Sequence, residues 1–313
     1  MRALDWQKIR QAGERKSWER IDVHKRLLKD KVRNAAYKAA ISKYCAPGMT
    51  SLDIGAGTGL LTFFAVQAGC DRVYSVESTD IIRHARKTAK LNGFEDRIRF
   101  IQKDVFDLKL PDRKVDILIH DQIGGFLWNE GMIGKVRHSR KKFLKPGGLI
   151  LPARFELFLV PASLPDVAMD TAFWRQKSYG ISFACIGEAE ARHSAELRRP
   201  RQLRLVGTRS FLSAPLLACT TDLYDDFPIP DEVSMSFTVT KDQGPCTAIV
   251  GSFRIIFDDK LSIDTSPARE NTNWEQFILP LANQQRVRPG SEIHLRFRPA
   301  ADPRMWRWKV SYR

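Results

Sequence analysis

The first part of the chain has the hydrophobic spacing of a helix. Apolar residues recur at helical intervals in VHKRLLKDKVRNAAYKAAISKY, and no Gly or Pro interrupts the chain from Lys16 to Ala46. Pro47-Gly48 then ends the pattern. The sequence therefore predicts N-terminal helices over residues 1–45.

From Thr50, short apolar segments alternate with helical ones. The strand segments are SLDI, RVYSVE, IRFIQ, VDILIH and GLILPARFELFLV, and the last begins after the turn Lys145-Pro146-Gly147-Gly148. Helical segments such as LLTFFAVQA and IIRHARKTAKLN separate them. Strands joined by helices form parallel sheets through right-handed crossovers. Residues 46–152 are therefore predicted to form a Rossmann-like α/β domain.

After Pro152 the pattern changes to that of an antiparallel β domain. FELFLVPA, SMSFTVT, TAIVGSFRIIF, WEQFILPL, EIHLRFR and MWRWKVSYR are β-rich runs divided by Pro, Gly, Asp and Asn. Such runs are typical of a β-barrel or sandwich. Residues 166–200 have a helical pattern instead. The prediction is a β-barrel domain over 153–313 with a helical arm at about 166–200.

The composition of the chain indicates its general class and the kinds of partner it favours. The chain has 313 residues, of which 43% are hydrophobic and 28% charged, as in ordinary globular proteins. A net charge of +15 favours acidic partners, nucleic acid included, or serves solubility alone. The N-terminus has no apolar signal segment, and no apolar run is long enough to span a membrane. Five widely spaced cysteines without a CxxC pair indicate neither a disulfide framework nor a metal site, so we expect a cytoplasmic protein.

The segment LDIGAGTG carries the strongest functional pattern. Gly55, Gly57 and Gly59 follow a predicted strand and open a predicted helix, so the backbone can approach a ligand closely. Glu77 ends the next strand, where its carboxylate can accept hydrogen bonds from two ribose hydroxyls. Nicotinamide enzymes usually carry GxGxxG, whereas GxGxG after Asp53 is the spacing of class I S-adenosylmethionine methyltransferases.

A second pattern, HDQIGGFLWNEGM, follows the fourth strand. Asp121 lies at the carboxyl end of that strand, where open α/β sheets bind ligands, and Glu130 follows across a glycine-containing loop. Two carboxylates in one cleft repel each other unless a cation lies between them. A guanidinium fits, because its planar fork donates paired hydrogen bonds to carboxylates.

Together these patterns resemble the protein arginine methyltransferases over nearly the whole chain. HKRLLKDKVRNAAY resembles the family's first-helix motif, VDILIHDQIGGFLWNEGM its double-glutamate hairpin, and NTNWEQ the threonine-histidine-tryptophan loop of its barrel. The resemblance implies S-adenosylmethionine as cofactor, a protein or peptide arginine as acceptor, and a homodimer joined through the arm. It implies that Asp121 and Glu130 are the catalytic acids. The implied cofactor contacts are Arg33, Asp53, Gly55, Gly57, Gly59, Glu77, Asp104 and Val105, and the implied substrate-pocket residues are Trp18, Asn273 and Trp274. His120 is a further candidate for the pocket, as a base, because it adjoins Asp121, although a lone histidine that ends a strand is more often a packed polar residue.

This sequence departs from the family pattern at the acceptor site. Asp121 is one methylene shorter than the usual glutamate, and Asn273 replaces the usual histidine, so that position has no titratable group. Gly125 and Trp18 replace an aromatic residue and a tyrosine. The acceptor pocket is therefore expected to be reshaped and roomier.

Three other readings remain open. The departures favour a methyltransferase for a small guanidine, an amine metabolite or a biosynthetic peptide. The positive charge is compatible with a nucleic-acid methyltransferase, although HDQI stands where an NPPY-like tetrapeptide would be expected. The altered acid and the lost histidine also fit a catalytically silent relative that binds the cofactor or a partner.

Overall fold

The computed structural model describes residues 18–110, 114–165, 174, 176–186, 200–203, 206–226 and 228–313. Its helices are α1 (Ile21–Lys29), α2 (Lys31–Tyr44), α3 (Leu60–Gln67), α4 (Ile82–Leu91) and α5 (Met132–Phe143). None of the helices in these ranges is long and apolar enough to cross a lipid bilayer.

The strands of the first domain are β1 (Thr50–Ile54), β2 (Arg72–Glu77), β3 (Ile98–Gln102), β4 (Val115–His120) and β5 (Leu144–Leu151). They form one parallel sheet in the order β3-β2-β1-β4-β5, which confirms the predicted α/β architecture. The chain order reverses at β1, between β2 and β4, so a crevice opens at the carboxyl ends of β1 and β4. The glycine turn and Asp121 both follow these strand ends.

The predicted turn Lys145-Pro146-Gly147-Gly148 is not a connection before β5 but lies within its bounds. The pairing of β5 with β4 shifts register between Val115 and Ile117, so the extra residues are accommodated as an irregularity in the strand.

Two helices, α1 and α2, cover the crevice, as the sequence predicts for the described part of residues 1–45. They are separate because Asp30 breaks the run and caps α2, its Oδ1 accepting a hydrogen bond from the Arg33 N–H at 2.9 Å. Residues 1–17 of the predicted helical segment lie outside the described residues.

The second domain consists of antiparallel sheets, as predicted. Its strands are β6 (Arg154–Ala162), β7 (Lys177–Ser178), β8 (Ile181–Ser182), β9 (Arg201–Leu203), β10 (Leu216–Asp222), β11 (Val233–Thr238), β12 (Pro245–Ile256), β13 (Ser262–Asp264), β14 (Gln276–Arg286), β15 (Glu292–Arg298) and β16 (Arg307–Tyr312). The larger sheet runs β10-β6-β12-β14-β9 with β13 beside β12, and the smaller runs β11-β15-β16. The two sheets meet where β10 contacts β11 and β14 contacts β16. Their closure into a barrel stays a prediction.

Within the predicted helical arm of residues 166–200, residues 184–186 are helical, but residues 177–182 are not. Strands β7 and β8 pair as a short antiparallel hairpin. Tyr179 and Gly180 connect them at φ angles of 54° and 81°, the left-handed conformation at both central positions that favours a tight hairpin. The helical pattern had missed this turn. Residues 166–173, 175 and 187–199 of the predicted arm lie outside the described residues.

Candidate active site

The glycine turn after β1, the predicted cofactor-binding turn, is held by backbone hydrogen bonds to β2. The Gly55 and Ala56 N–H groups both donate to the Val76 carbonyl of β2, at 2.8 and 3.0 Å. Gly55, Gly57 and Gly59 have φ angles of 71°, 55° and 88°, which side chains with a Cβ rarely adopt. The turn is thereby fixed across the ends of two neighbouring strands.

Two side chains lie directly against this turn. A Cβ on Gly55 would stand 2.0 Å from Nε2 of Gln122, and one on Gly57 would stand 3.0 Å from Cε1 of His24. His24 is buried, and its Nε2 lies 2.8 Å from the Trp18 carbonyl, which accepts the hydrogen bond. The glycines are therefore needed for close approach as well as for backbone geometry.

Glu77 is held at the end of β2 by the turn itself. Its Oε2 accepts from the Gly57 N–H at 3.1 Å, and its Oε1 accepts from both the N–H and the hydroxyl of Thr79 at 2.8 Å. The side chain is buried. Because a carboxylate oxygen accepts more than one hydrogen bond, Glu77 retains acceptor capacity toward a ribose.

Asp53 is the most deeply buried acid of the crevice. Its Oδ2 accepts from the Thr62 hydroxyl at 2.6 Å, while its Oδ1 has no hydrogen-bond partner in the described ranges. Burial raises the pKa of Asp53 to about 7, and the nearby carboxylates Asp121 and Glu77 add to the rise.

Asp104 and Val105 follow β3, the strand beyond β2. Asp104 is exposed and caps the short 3-10 helix Val105–Asp107, its Oδ1 accepting from the Phe106 N–H at 3.0 Å. Val105 is buried. Their role in cofactor binding stays a prediction.

Asp121 is engaged by two side chains of α2. The Arg33 guanidinium makes a two-pronged contact with Asp121 Oδ2, in which Nε donates at 2.8 Å and Nη2 forms the closer ion pair. The Tyr37 hydroxyl, a donor whose pKa burial raises well above its ordinary value, lies 3.1 Å from Oδ1. Burial raises the pKa of Asp121 and Arg33 lowers it, with a net upward shift. The structure thus joins a predicted cofactor residue to a predicted catalytic acid.

The loop from Asp121 to Glu130 folds back on itself, as its glycines predict. Gly124 bridges Leu127, whose N–H donates to the Gly124 carbonyl at 2.9 Å. Asn129 Oδ1 accepts from the Phe126 N–H at 3.1 Å, and a Cβ on Gly124 would collide with that asparagine. Glu130 is half-buried with a φ of 69°. The two acids therefore stand at opposite ends of one folded loop, the acid loop of residues 121–130.

The second domain holds the acid loop in place. Trp128 Nε1 donates to the Thr221 hydroxyl of β10 at 3.0 Å, and Trp274 Nε1 donates to the Ile123 carbonyl at 2.5 Å. Both indoles are buried. The Trp128 ring also packs edge-on against Trp306, with centroids 6.0 Å apart. The loop is thus held by two hydrogen bonds with the second domain, one to β10 and one from the segment before β14.

Asp30 connects the loop containing Asn273 to α2. Its Oδ2 accepts from the Asn273 N–H at 2.7 Å, while its Oδ1 caps the helix that carries Arg33. Two oxygens of the Asn273 loop, Thr272 Oγ1 and Asn273 Oδ1, are buried without a hydrogen-bond partner among the residues that the structure describes. The loop therefore presents unused acceptor groups.

The prediction that His120 lines the substrate pocket is wrong. Its side chain is fully buried, and its Nε2 donates to the Pro152 carbonyl at 2.8 Å. Burial lowers the pKa of His120 to about 4, so the ring is neutral. Successive strand residues point to opposite faces of a sheet, and therefore His120 enters the core while Asp121 faces the crevice. Trp18 is half-buried beside His24, with ring centroids 6.4 Å apart.

Sequence reasoning missed four residues of the site: His24, Asp30, Tyr37 and Gln122. A signal was present for two of them. Asp30, Arg33 and Tyr37 are spaced by three and four positions, so a helix brings them toward one face. For His24 and Gln122, nothing in the sequence spacing predicts their contact with the glycine turn. That contact arises from the packing of separate elements.

The chain is similar to known methyltransferases over both domains. Residues 46–191 match the methyltransferase domain, and residues 154–313 match the arginine methyltransferase oligomerization subdomain. Protein arginine N-methyltransferase 6 of Xenopus laevis is 30% identical over 283 residues, which cover 87% of this chain and 82% of that protein. Protein arginine N-methyltransferase 6 of Danio rerio is 32% identical over 274 residues, or 85% and 78% of the two chains. Protein arginine N-methyltransferase 1 of Chlamydomonas reinhardtii is 32% identical over 273 residues, or 85% and 76%.

Solved structures share the fold. The Trypanosoma brucei PRMT1 enzyme–prozyme complex with AdoHcy superposes with a TM-score of 0.81 at 24% identity, covering 95% of this chain and 94% of that one. Arabidopsis thaliana protein arginine methyltransferase 10 gives 0.80 at 23% identity, covering 95% and 93%. The crystal structure of PRMT6 with SAH gives 0.71 at 19% identity, covering 94% and 100%. The chain belongs to the protein arginine N-methyltransferase family and is an S-adenosylmethionine-dependent methyltransferase.

Proposed function

We propose that this enzyme transfers a methyl group to a guanidinium nitrogen of arginine in a protein or peptide. The proposal rests on the acid loop, which follows β4 at the crevice, carries Asp121 and Glu130 at its two ends and is held by hydrogen bonds with the second domain. The named relatives, protein arginine N-methyltransferases, support the same acceptor.

The residues of the crevice fit the cofactor. Glu77 has acceptor capacity for a ribose, and the glycine turn admits a ligand to the backbone. The unpartnered Oδ1 of Asp53 suits a bound ammonium group, and Arg33 suits a carboxylate. When bound, S-adenosylmethionine supplies an electrophilic methyl group on a positively charged sulfur.

Glu130 holds the acceptor in this proposal. Its carboxylate binds the guanidinium and draws positive charge toward the nitrogens away from the reacting one, which leaves that nitrogen more like a free lone pair. Asp121 shares its charge with Arg33 and Tyr37, so it orients the cofactor-side helix as well as facing the acceptor. The main effect is alignment and exclusion of water.

Methyl transfer to a guanidinium releases one proton overall. Asn273 cannot accept it at neutral pH, because an amide has no titratable group there. The carboxylates of Asp121 and Glu130 are the groups of the acid loop that can pass it to solvent. Because the guanidinium pKa is above 12, we expect the proton to leave with methyl transfer or after it rather than before.

The variant Glu130→Gln tests the proposal. We expect it to abolish methylation of an arginine peptide, measured by mass spectrometry, while calorimetry finds cofactor affinity nearly unchanged. Glu95→Gln, on an exposed residue of the cofactor domain, is the matched control and keeps full activity. Full turnover by Glu130→Gln would refute the role of the paired acids.

A small guanidino compound is the second candidate acceptor. The departures from the family pattern at Asp121, Gly125 and Asn273 favour it, because they are expected to reshape the acceptor pocket and make it roomier. Incubation with labelled cofactor and free arginine, a small guanidine or an arginine peptide distinguishes the two, because only the preferred acceptor gains label.

We also propose that the enzyme is a homodimer joined through the arm. The match of residues 154–313 to an oligomerization subdomain supports this assembly. In the arm hairpin, Tyr179 is completely exposed and Ile181 is 59% exposed. Apolar side chains exposed side by side are typical of a surface that another protein subunit covers.

A further inference from the structure

Helix α5, which begins directly after the acid loop, is strongly basic. Residues 131–155 contain seven lysines and arginines and no aspartate or glutamate. Five of these cations lie on α5 itself: Lys135, Arg137, Arg140, Lys141 and Lys142. The helix therefore carries a concentrated positive charge beside the proposed acceptor site.

One carboxylate neutralises only part of this charge. Asp226 pairs with Arg140 at 2.5 Å and with Lys141 at 2.9 Å, and its backbone carbonyl accepts from Arg137 Nη1 at 3.1 Å. Lys142 instead donates to the Leu108 carbonyl at 3.0 Å. A surplus of positive charge remains along the helix.

A groove runs along this helix, and we call it the α5 groove. It has a volume of about 710 Å³ and is lined by Phe106, Gly134, Arg137, His138, Lys141 and Lys142. Burial and Lys142 lower the pKa of His138, so the positive charge comes from the arginine and lysines. The nearby carboxylate of Asp104 acts in the opposite direction and raises the pKa of His138. Phe106 is 50% exposed and packs edge-on against His138, which adds an apolar wall.

The α5 groove begins close to the acid loop, because Gly134 of its lining lies four positions after Glu130. Lys135, in the first turns of α5, donates from Nζ to the carboxamide oxygen of Gln122, the residue after Asp121. The helix has 12 residues and is about 18 Å long, measured from Met132 next to the acid loop. An extended peptide covers this length with about five or six residues.

We propose that the α5 groove binds an acidic segment of the substrate protein next to the methylated arginine. The inference rests on the proposed function and adds the substrate class to it. A substrate tail rich in lysine or arginine is repelled by a chain of net charge +15 and by the surplus on α5. Ionic screening confines that repulsion to about 8 Å at physiological salt. The charge of the groove itself, rather than the net charge of the chain, therefore determines which substrate segment binds there. Glutamate and aspartate are the residues that complement it.

Three peptides test this substrate class. They contain the same central arginine flanked by glutamates, by glutamines or by lysines. We expect kcat/KM for the acidic peptide to exceed that for the basic peptide by about tenfold or more at low salt. The difference narrows at about 0.5 M salt, where charges are screened. Equal kcat/KM for all three peptides at every salt concentration overturns the inference and leaves the proposed function intact.

A double variant locates the effect. Arg137→Gln with Lys141→Gln is expected to reduce kcat/KM for the acidic peptide to the value of the glutamine peptide. The matched control is Lys87→Gln with Lys90→Gln, which removes the same charge from exposed positions of α4 and keeps the preference. An equal loss in both double variants means that net charge acts rather than the α5 groove, and overturns the proposal.

Direct binding separates this inference from the proposed function. If no peptide is methylated, the proposed function fails, and fluorescence anisotropy of a labelled acidic peptide decides on the α5 groove alone. Binding that the Arg137–Lys141 double variant loses supports the groove, and an absence of binding overturns it. A labelled uridine oligonucleotide is measured in parallel. Tighter binding of the oligonucleotide, lost in the same variant, overturns the acidic-peptide proposal in favour of nucleic acid.

Discussion

Asp53 is a buried carboxyl group whose protonation is linked to folding. Its pKa of about 7 lies above the ordinary 3.8, so between these values the folded chain holds a proton that the unfolded chain has lost. The contribution of Asp53 to stability is therefore complete at low pH, falls as the pH rises from about 4 to 7, and is level above that.

We expect Asp53→Asn to remove this dependence. Relative to the variant, the wild-type free energy of unfolding should fall by about 2–3 kcal/mol between pH 5 and pH 8. Urea unfolding of both proteins at the two pH values measures the difference. Parallel pH profiles would show that Asp53 titrates at its ordinary value in the folded protein.

Glu77 permits a test of the cofactor site. Glu77→Ala should weaken S-adenosylmethionine binding by about 1–3 kcal/mol, because charge-assisted hydrogen bonds to the ribose are lost. Glu77→Gln keeps one acceptor oxygen and should lose less. Calorimetry measures the cofactor affinity of each variant, with Glu95→Ala at an exposed position as the control. An unchanged affinity in Glu77→Ala would mean that other groups hold the ribose.

At the residue scale, the sequence predicts which residues belong to the site better than it predicts where a side chain points or which residue it contacts. The glycine turn and Glu77 follow from local spacing, because their geometry is set within one strand–turn–helix unit. The pairing of Arg33 with Asp121 joins residues 88 positions apart and depends on how α2 packs over the sheet. His120 was misplaced because an adjacent polar residue was assumed to share the crevice, although neighbouring strand residues face opposite sides.

At the scale of elements, Asp30 couples a helix to a loop. One carboxylate oxygen caps α2 and the other holds the Asn273 N–H at 2.7 Å, so a single side chain fixes both the carrier of Arg33 and the loop beside the acceptor. Different substitutions of Asp30 should therefore separate its effect on helix α2 from its effect on the Asn273 loop.

Asp30→Asn and Asp30→Ala should have graded effects. Asparagine caps helices as well as aspartate does, so Asp30→Asn should keep stability within about 1 kcal/mol while raising KM through the weakened loop contact. Asp30→Ala loses both contacts and should cost about 1–3 kcal/mol of stability. Chemical unfolding and peptide kinetics measure the two effects. Equal stability of both variants would exclude a capping role for Asp30.

Among the elements, the parallel strands were predictable because each is a continuous apolar run between turn residues. The hairpin β7–β8 was not, because its strands are two residues each and carry no alternation. Lys145–Gly148 resemble a turn in sequence, but they lie within β5 as an irregularity between Leu144 and Leu149, which both pair with β4.

At the scale of the whole molecule, the exposed arm hairpin tests the proposed homodimer. Light scattering should give a dimer for the wild type and a monomer for Tyr179→Asp with Ile181→Asp, because charged groups are costly to bury in an interface. Leu91→Asp, at an apolar residue that is 86% exposed on α4, is the control and remains dimeric. A monomeric wild type would contradict the assignment of the arm.

The two-domain plan was predictable at this scale because the period of the hydrophobic pattern changes near Pro152. The contacts between the domains were not, since the indole of Trp274 and the carbonyl of Ile123 are 151 positions apart. No local pattern encodes that hydrogen bond.

The anchoring of the acid loop by Trp128 and Trp274 makes the geometry of the proposed catalytic acids depend on both halves of the chain. A shift of the strand end that carries Thr221, or of the loop that carries Trp274, is transmitted to the carboxylates without disturbing the glycine turn. Mutations in the antiparallel sheets, remote from either acid, are thus expected to leave the affinity for the methyl donor intact while abolishing methyl transfer.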